Sequence, residues 1–243
     1  MDININPPIA LGGTYNTRDL GGYPTKDGGQ TQYRRFLRSD GLQALTEAGA
    51  KQLQKEYGLS CVIDLRTTGE NARSPHPAHL GVPVFSFPLI DQVNSTSFSG
   101  PLPTSMGQLY CSLLDGSKAA LHGIFRTILA NPGCILYHCT AGKDRTGVVS
   151  MLLLSLAGCE DALIIADYAA SEANLAPLIA GQKAHFAQMG LDIPDYVLGS
   201  APENMEMALA HFHKNYGDAE SYFALLGFTQ SEIGQLRQRL VQA

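Results

Sequence analysis

What the chain lacks removes several classes of protein at once. It has no excess of positive charge: 17 Lys and Arg stand against 22 Asp and Glu, a net charge of −5. A surface of that balance does not suit nucleic acid or an anionic membrane. The balance is uneven, with nine basic against eight acidic residues in 1–75 and eight against fourteen afterwards, so a local basic pocket fits within an acidic molecule. No apolar run is long enough to cross a bilayer; the longest, "VVSMLLLSLAG" at 148–158, reads as a buried helix. The start, "MDININPPIALGG", has neither the basic region nor the apolar core of a signal peptide. The expected location is the cytoplasm, or outside the cell by a route that needs no signal peptide. The five cysteines are odd in number and never at CxxC spacing, which argues against a disulfide framework or a zinc site. They are expected as small buried side chains in a reducing compartment. There is no internal repeat, no low-complexity tract and no G-x-S-x-G of a serine hydrolase.

What is present is an ordinary globular composition, 44% hydrophobic and 16% charged over 243 residues. That size buries enough surface for one domain, 1–243, to be stable without staples. Residues 14–40 mix Gly-Gly turns with short β-prone pieces and are expected to form a β-rich cap or hairpin. Apolar runs at 60–66, 82–91 and 133–139 read as strands, the second confined by its prolines to an edge or to pairing at its ends. Helical patterns cover 46–58, 106–115, 118–130, 146–158, 160–175, 177–189, 202–215, 219–226 and 229–241, and 92–105 reads as a loop. Strands alternating with helices predict an α/β fold around a central, largely parallel sheet, with a helical C-terminal part.

The chemistry concentrates in "YHCTAGKDRTG" at 137–147, where a strand runs into a helix. A helix N-terminus carries unpaired N–H groups and partial positive charge, which suit an anion. Gly142 permits a turn in which successive amides point inward, and Arg145 adds a planar fork matched to two phosphate oxygens. Such a field favours the thiolate of a cysteine placed within it. Cys139 is therefore the expected nucleophile toward a phosphomonoester, with the loop residues Thr140, Ala141, Gly142, Lys143, Asp144 and Arg145 around the phosphate. An acid protonates the leaving oxygen, and water then hydrolyses the phosphocysteine. Thr146 is placed to hydrogen-bond the sulfur and His138 to orient the loop through the backbone; this route calls for no metal or other cofactor. A Walker A loop is excluded, because Lys143 is followed by Asp144 and not by Ser or Thr. Any one of these residues has a blander reading as a turn glycine or a solvated helix start. Ten specified positions in a strand–loop–helix context outweigh it.

"HCTAGKDRTG" resembles the signature of a bacterial family of cysteine-dependent tyrosine phosphatases with the form HCxxGKDRTG. "NTRDLGGY" (16–23), "RSD" (38–40), "VIDLRTTGE" (62–70), "ADYAASEANL" (166–175) and the stretch 216–240 are similar to further blocks of that family. The resemblance implies a tyrosine-phosphatase-like fold, a twisted sheet of four or five strands flanked by helices with the site at the strand ends. It implies activity on phosphotyrosine and on phosphoserine or phosphothreonine, with phosphoinositides as a further substrate class. Lys143 is similar to a loop lysine of a lipid phosphatase, and a second cation would suit a substrate with more than one phosphate.

For the general acid the family assignment favours Asp144, with Asp91, at the end of "PLID" beside a loop, as the alternative. Asp64, closing a strand, is expected to pin Arg66 or Arg145. Arg18 and Asp19 are expected either to pair with one another, anchoring the N-terminal element, or to reach the pocket. Arg66 and Glu70, four apart, suggest a local salt bridge. The helices of 160–215 are expected to cover the pocket as a lid. The partners so implied are phosphorylated proteins or phosphoinositides, not nucleic acid. Two other readings compete: a catalytically silent phosphate-binding module, and a rhodanese-like sulfurtransferase, which the GKDRTG continuation does not serve.

Overall fold

The computed structural model describes residues 3–89, 104–188 and 194–242. Its strands are β1 (Arg18–Asp19), β2 (Gln30–Thr31), β3 (Phe36–Ser39), β4 (Leu59–Asp64), β5 (Val84–Ser86), β6 (Cys134–His138) and β7 (Val241–Gln242). Its helices are α1 (Glu47–Glu56), α2 (Thr68–Arg73), α3 (Met106–Gly116), α4 (Lys118–Ala130), α5 (Asp144–Ala157), α6 (Asp161–Gln188), α7 (Asp195–Leu198), α8 (Pro202–Tyr216), α9 (Ala219–Leu225) and α10 (Gln230–Leu240). Five strands form the main sheet in the order β1-β3-β6-β4-β5. Within that sheet, among the described residues, only the β1–β3 pairing is antiparallel, so the mixed α/β fold with a mostly parallel sheet is the one expected.

β6 lies at the centre, and all five of its residues are buried. Alternate side chains serve two cores. Ile135 and Tyr137 enter the larger cluster, built with α3 to α6 and α8 to α10, while Cys134 and Leu136 enter a smaller one with Leu53 of α1. A strand covered on both faces reads as a continuous apolar run, which is why 133–139 was visible in the sequence. α5 follows directly and is buried nearly all round, as its unbroken apolar stretch predicts.

Three features differ from expectation. The N-terminal segment 14–40 is no separate cap, since β1 and β3 are strands of the main sheet and β2 pairs with β7 at the other end of the chain. The two helices expected on either side of Pro177 are one, with the proline inside α6. The carbonyl that loses its donor belongs to Ala173, which is exposed, so water can serve it. Finally, β5 is shorter than the 82–91 run, although it does occupy the sheet edge. Asp91 and most of the 92–105 loop lie outside the described residues.

Candidate active site

The C-terminal ends of β3, β6 and β4 lie side by side, with Ser39 paired to His138 and His138 to Asp64. Ligand sites of parallel sheets form at such ends. The chain leaves β6 through Cys139, which is 1% exposed, and enters α5 at Asp144. The intervening backbone is held by its carbonyls. Those of Cys139 and Thr140 accept from His138 Nδ1 and Gly41 N, both at 2.9 Å. Those of Ala141 and Gly142 accept from Asn16 Nδ2 at 3.2 and 3.0 Å, and Gly142 O also from Arg38 Nη2 at 2.8 Å. That of Lys143 accepts from Gly147 N at 2.8 Å. With these carbonyls taken, the amides of Thr140 to Lys143 make no hydrogen bond among the described residues, as the expected anion-binding turn requires. Gly142 has φ +65°, and a Cβ there would lie 2.3 Å from Ser39 O, so only glycine lets the loop settle on the end of β3.

Arg145 is 2% exposed. Its Nη1 and Nη2 donate to Glu70 Oε2 and Oε1 at 2.7 and 2.8 Å, and Thr140 Oγ1 donates to Oε1 at 2.5 Å. Burial alone would raise the Glu70 pKa, but the Arg145 guanidinium overrides it and holds the carboxyl at about 2. The Arg66–Glu70 bridge expected from their spacing is thus replaced. Arg66 instead grips Asp64 with Nε and Nη2 at 2.9 to 3.2 Å, so Asp64 does pin Arg66. Residue 66 lies before α2 begins, where four-residue spacing does not bring side chains together. Glu70 sits at the third position of α2 in a capping box with Thr67; the T-x-x-E pattern was the available signal.

His138 is buried, and its pKa falls to about 4, chiefly through loss of solvation and against the pull of Asp64. Its Nδ1 must carry the proton, because the Cys139 carbonyl can only accept. Its Nε2 therefore accepts from His76 Nε2, 2.9 Å away. Asp64, His76 and His138 bring one potential ligand atom each within 4.8 Å of the others. Those atoms are engaged with Arg66 and with each other, which is the pattern of a hydrogen-bonded bracket beside Cys139.

Behind the loop lies a buried charge cluster. Asp167 of α6 pairs with Arg18 Nε at 2.9 Å and with Arg38 Nη1, and Arg18 also donates to Asn16 Oδ1. Burial opposes the ionised Asp167, but the two guanidinium groups prevail and lower its pKa. The expected Arg18–Asp19 pair is not formed: Asp19 accepts instead from the Gly21 and Arg34 amides at 2.9 and 2.8 Å. Adjacent residues of β1 point to opposite faces, so the two side chains cannot share a partner. Arg18 thus supports the loop through Asn16 and the cluster that contains Arg38, without lining it. The sequence reading gave no role to Asn16, Arg38 or Asp167; the signal for the last was a lone carboxylate in the apolar stretch "LIIADYAA".

On the far side of the loop, Asp144, Lys143, Thr140 and Ala141 line a small pocket closed by Met106, Leu175, Leu178, Ile179, Val197 and Leu198. The Asp144 carboxyl accepts from Tyr110 Oη at 2.5 Å. The Lys143 side chain does not face the nest, as a second phosphate-binding cation would; its ammonium donates to the carbonyls of Val197 and Gly199 at 2.7 and 2.8 Å. Thr146 Oγ1 is buried with no hydrogen-bond partner among the described residues, so no bond to the Cys139 sulfur is made in this structure. A second cleft, about 290 Å³, opens between Tyr15, Gln43, Arg66, Glu70, Thr140 and Leu178.

A cysteine and an arginine six residues apart in one loop, at the end of a central parallel strand, fit the tyrosine phosphatase class. The tyrosine phosphatase family model matches residues 9–242, and the chain belongs to that family. It is 34% identical over 220 residues to a tyrosine-protein phosphatase of Nostoc commune, covering 86% of this chain and 74% of that protein. It is 26% identical to the triple specificity protein phosphatase PtpB of Mycobacterium tuberculosis, covering 93% and 96%. The crystal structure of P. aeruginosa TpbA is similar at 16% identity, covering 82% of this chain and 91% of that one, with a TM-score of 0.38.

Proposed function

We propose that the protein hydrolyses phosphomonoesters through a phosphocysteine, without a metal, acting on phosphotyrosine and on phosphoserine or phosphothreonine. The observation that carries this reading is the loop in which the carbonyls of residues 139–143 all accept hydrogen bonds while the amides of 140–143 make none among the described residues. Cys139 Sγ attacks phosphorus in line; the amides and Arg145 bind the equatorial oxygens, whose charge they match best in the transition state. The P–O bond breaks, its electron pair stays on the leaving oxygen, and that oxygen takes a proton from Asp144, which lines the pocket beside Thr140 and Ala141. Water then attacks phosphorus, the P–S pair returns to sulfur, and the Asp144 carboxylate takes the water's proton. Leu175, Leu178 and Ile179 of α6, with Val197 and Leu198 of α7, cover this side of the loop, in keeping with the lid expected over 160–215.

The triple specificity stated in the name of the mycobacterial relative supports a broad range of phosphoprotein substrates. The lipid reading draws no support from Lys143, whose ammonium is committed to the α7 region. The test is phosphate release, with EDTA present, from phosphotyrosine and phosphoserine peptides and from phosphoinositides, comparing wild type with Cys139→Ser. Release by wild type and none by the variant is expected, with peptides preferred. Release abolished by EDTA, or retained by Cys139→Ser, defeats the thiol mechanism. Wild-type protein that binds phosphopeptide but releases nothing is a reader instead.

A further inference from the structure

Two buried tyrosines form a one-way hydrogen-bond chain that ends on Asp144. Tyr110 of α3 and Tyr168 of α6 are 0% and 1% exposed, and their hydroxyls lie 2.7 Å apart. Tyr110 Oη is also 2.5 Å from Asp144 Oδ1. A phenol has one proton to give. A carboxylate accepts only, so the Tyr110 proton goes to Asp144, and Tyr168 must then donate to Tyr110. The direction runs from Tyr168 through Tyr110 to Asp144. Burial drives both phenol pKa values upward, so each hydroxyl keeps its proton.

The second observation concerns which oxygen is used. The Tyr110 hydroxyl falls on Oδ1, and the Lys143 ammonium, 3.5 Å away, also falls on Oδ1. Among the described residues no hydrogen bond or ion pair is recorded at Oδ2. A carboxyl oxygen that accepts a strong hydrogen bond beside a cation is the poorer site for a proton, which leaves the proton to Oδ2. Asp144 lines the pocket beside Thr140 and Ala141, where a leaving oxygen would emerge from the nest.

We propose that Tyr110, backed by Tyr168, is a positioning residue for proton transfer, holding Asp144 by Oδ1 so that Oδ2 delivers the proton to the leaving oxygen. This rests on the reading of Asp144 as the general acid. The pair also stabilises the carboxylate left behind: as the S–P bond forms and the P–O bond breaks, the proton moves from Oδ2 to the leaving oxygen and Tyr110 still donates to the ionised group. Neither tyrosine touches the reacting atoms.

The test uses kcat/KM, which reports the step in which the leaving group departs, for p-nitrophenyl phosphate and phenyl phosphate. The nitrophenolate leaves readily without a proton, whereas the phenolate needs one. Loss in Tyr110→Phe is expected to be small on the first ester and ~10–100-fold greater on the second, with Tyr168→Phe following in the same order to a lesser degree. Asp144→Asn is expected to show the steepest contrast, ~10²–10⁴-fold, and the double variant Tyr110→Phe/Asp144→Asn to be no worse than Asp144→Asn alone. Equal losses of Tyr110→Phe on both esters, or none, overturn the positioning role while leaving Asp144 intact as the acid. An Asp144→Asn variant with no contrast between esters removes the acid reading, and the role of Tyr110 with it. Thermal unfolding of each variant accompanies the kinetics; should Tyr110→Phe not fold, Tyr168→Phe decides by the same criterion.

Discussion

Glu70 holds Arg145 end-on, accepting from both terminal nitrogens, and so sets the plane of the guanidinium. The carboxylate also accepts from the Thr67 amide at 2.9 Å and from the Thr140 hydroxyl, so one side chain ties the start of α2 to the loop. Removing its charge takes away the carboxylate that faces both terminal nitrogens of a buried guanidinium. Glu70→Gln is expected to lose about 3 kcal/mol of stability and to lower kcat/KM by ~10–100-fold through a looser Arg145. Chemical denaturation and aryl phosphate kinetics check both; an unchanged kcat/KM would show that the loop fixes Arg145 unaided. Cys139 and Arg145 stood out in the sequence as candidates because a thiol and a guanidinium fork lie six residues apart in a single loop. Glu70 was not, because its partner is 75 residues away and spacing along a chain does not report contacts across a sheet.

At the scale of elements, the loop of residues 139–145 is a passive piece of backbone shaped by three neighbours. β3 supplies Arg38 and the residue pair Asp40 and Gly41 that follows it; the turn before β1 supplies Asn16; α6 supplies Asp167. Asn16 is the joint among them, since its amide holds two loop carbonyls while its Oδ1 accepts from Arg18 and, at 3.1 Å, from Asn174 of α6. Asn16→Ala leaves the carbonyls of Ala141 and Gly142 with fewer donors, at a cost of about 1–3 kcal/mol for buried polar groups left unpaired. The expected result is roughly tenfold weaker inhibition by inorganic phosphate, with the fold retained as judged by circular dichroism. Undiminished inhibition would mean that Arg38 and Gly41 alone suffice to turn the carbonyls outward. The strand–loop–helix order was readable from hydrophobic runs, and "NTRDLGG" was recognisable as a block. Its purpose was not readable, because β1 has only two residues and no periodicity of its own, and its meaning lies in what it touches.

Over the whole molecule, shifted titrations gather at the C-terminal edge of the sheet, and they oppose one another. His138, neutral and buried, titrates at about 4 in the fold against 6.5 when exposed. As pH falls from 6.5, the unfolded chain takes the proton first, so stability is lost between 6.5 and 4. Asp40 does the reverse. Burial raises its carboxyl to about 6 despite the Tyr15 and Asn16 amides bonded to it, so below 6 the folded state binds the proton first and stability is gained until the unfolded aspartate titrates near 3.8. Each shift corresponds to something on the order of 3 kcal/mol, and over pH 6.5 to 4.5 they largely cancel. His76, lowered by burial, adds to the first side, and Asp19, raised by burial, to the second. Glu70, Asp64 and Asp167, all depressed, act below this window, where their protonation unfolds the protein. The wild type is therefore expected to hold nearly constant stability from pH 6.5 to 4.5 and then to fail steeply. Asp40→Asn keeps an oxygen for the two amides but abolishes the compensating titration. Its stability, from urea denaturation at the two pH values, is expected to fall by about 2–3 kcal/mol more than that of the wild type on going from 6.5 to 4.5. Parallel behaviour of the two proteins would show that Asp40 stays ionised through this range and that the Tyr15 and Asn16 amides outweigh its burial.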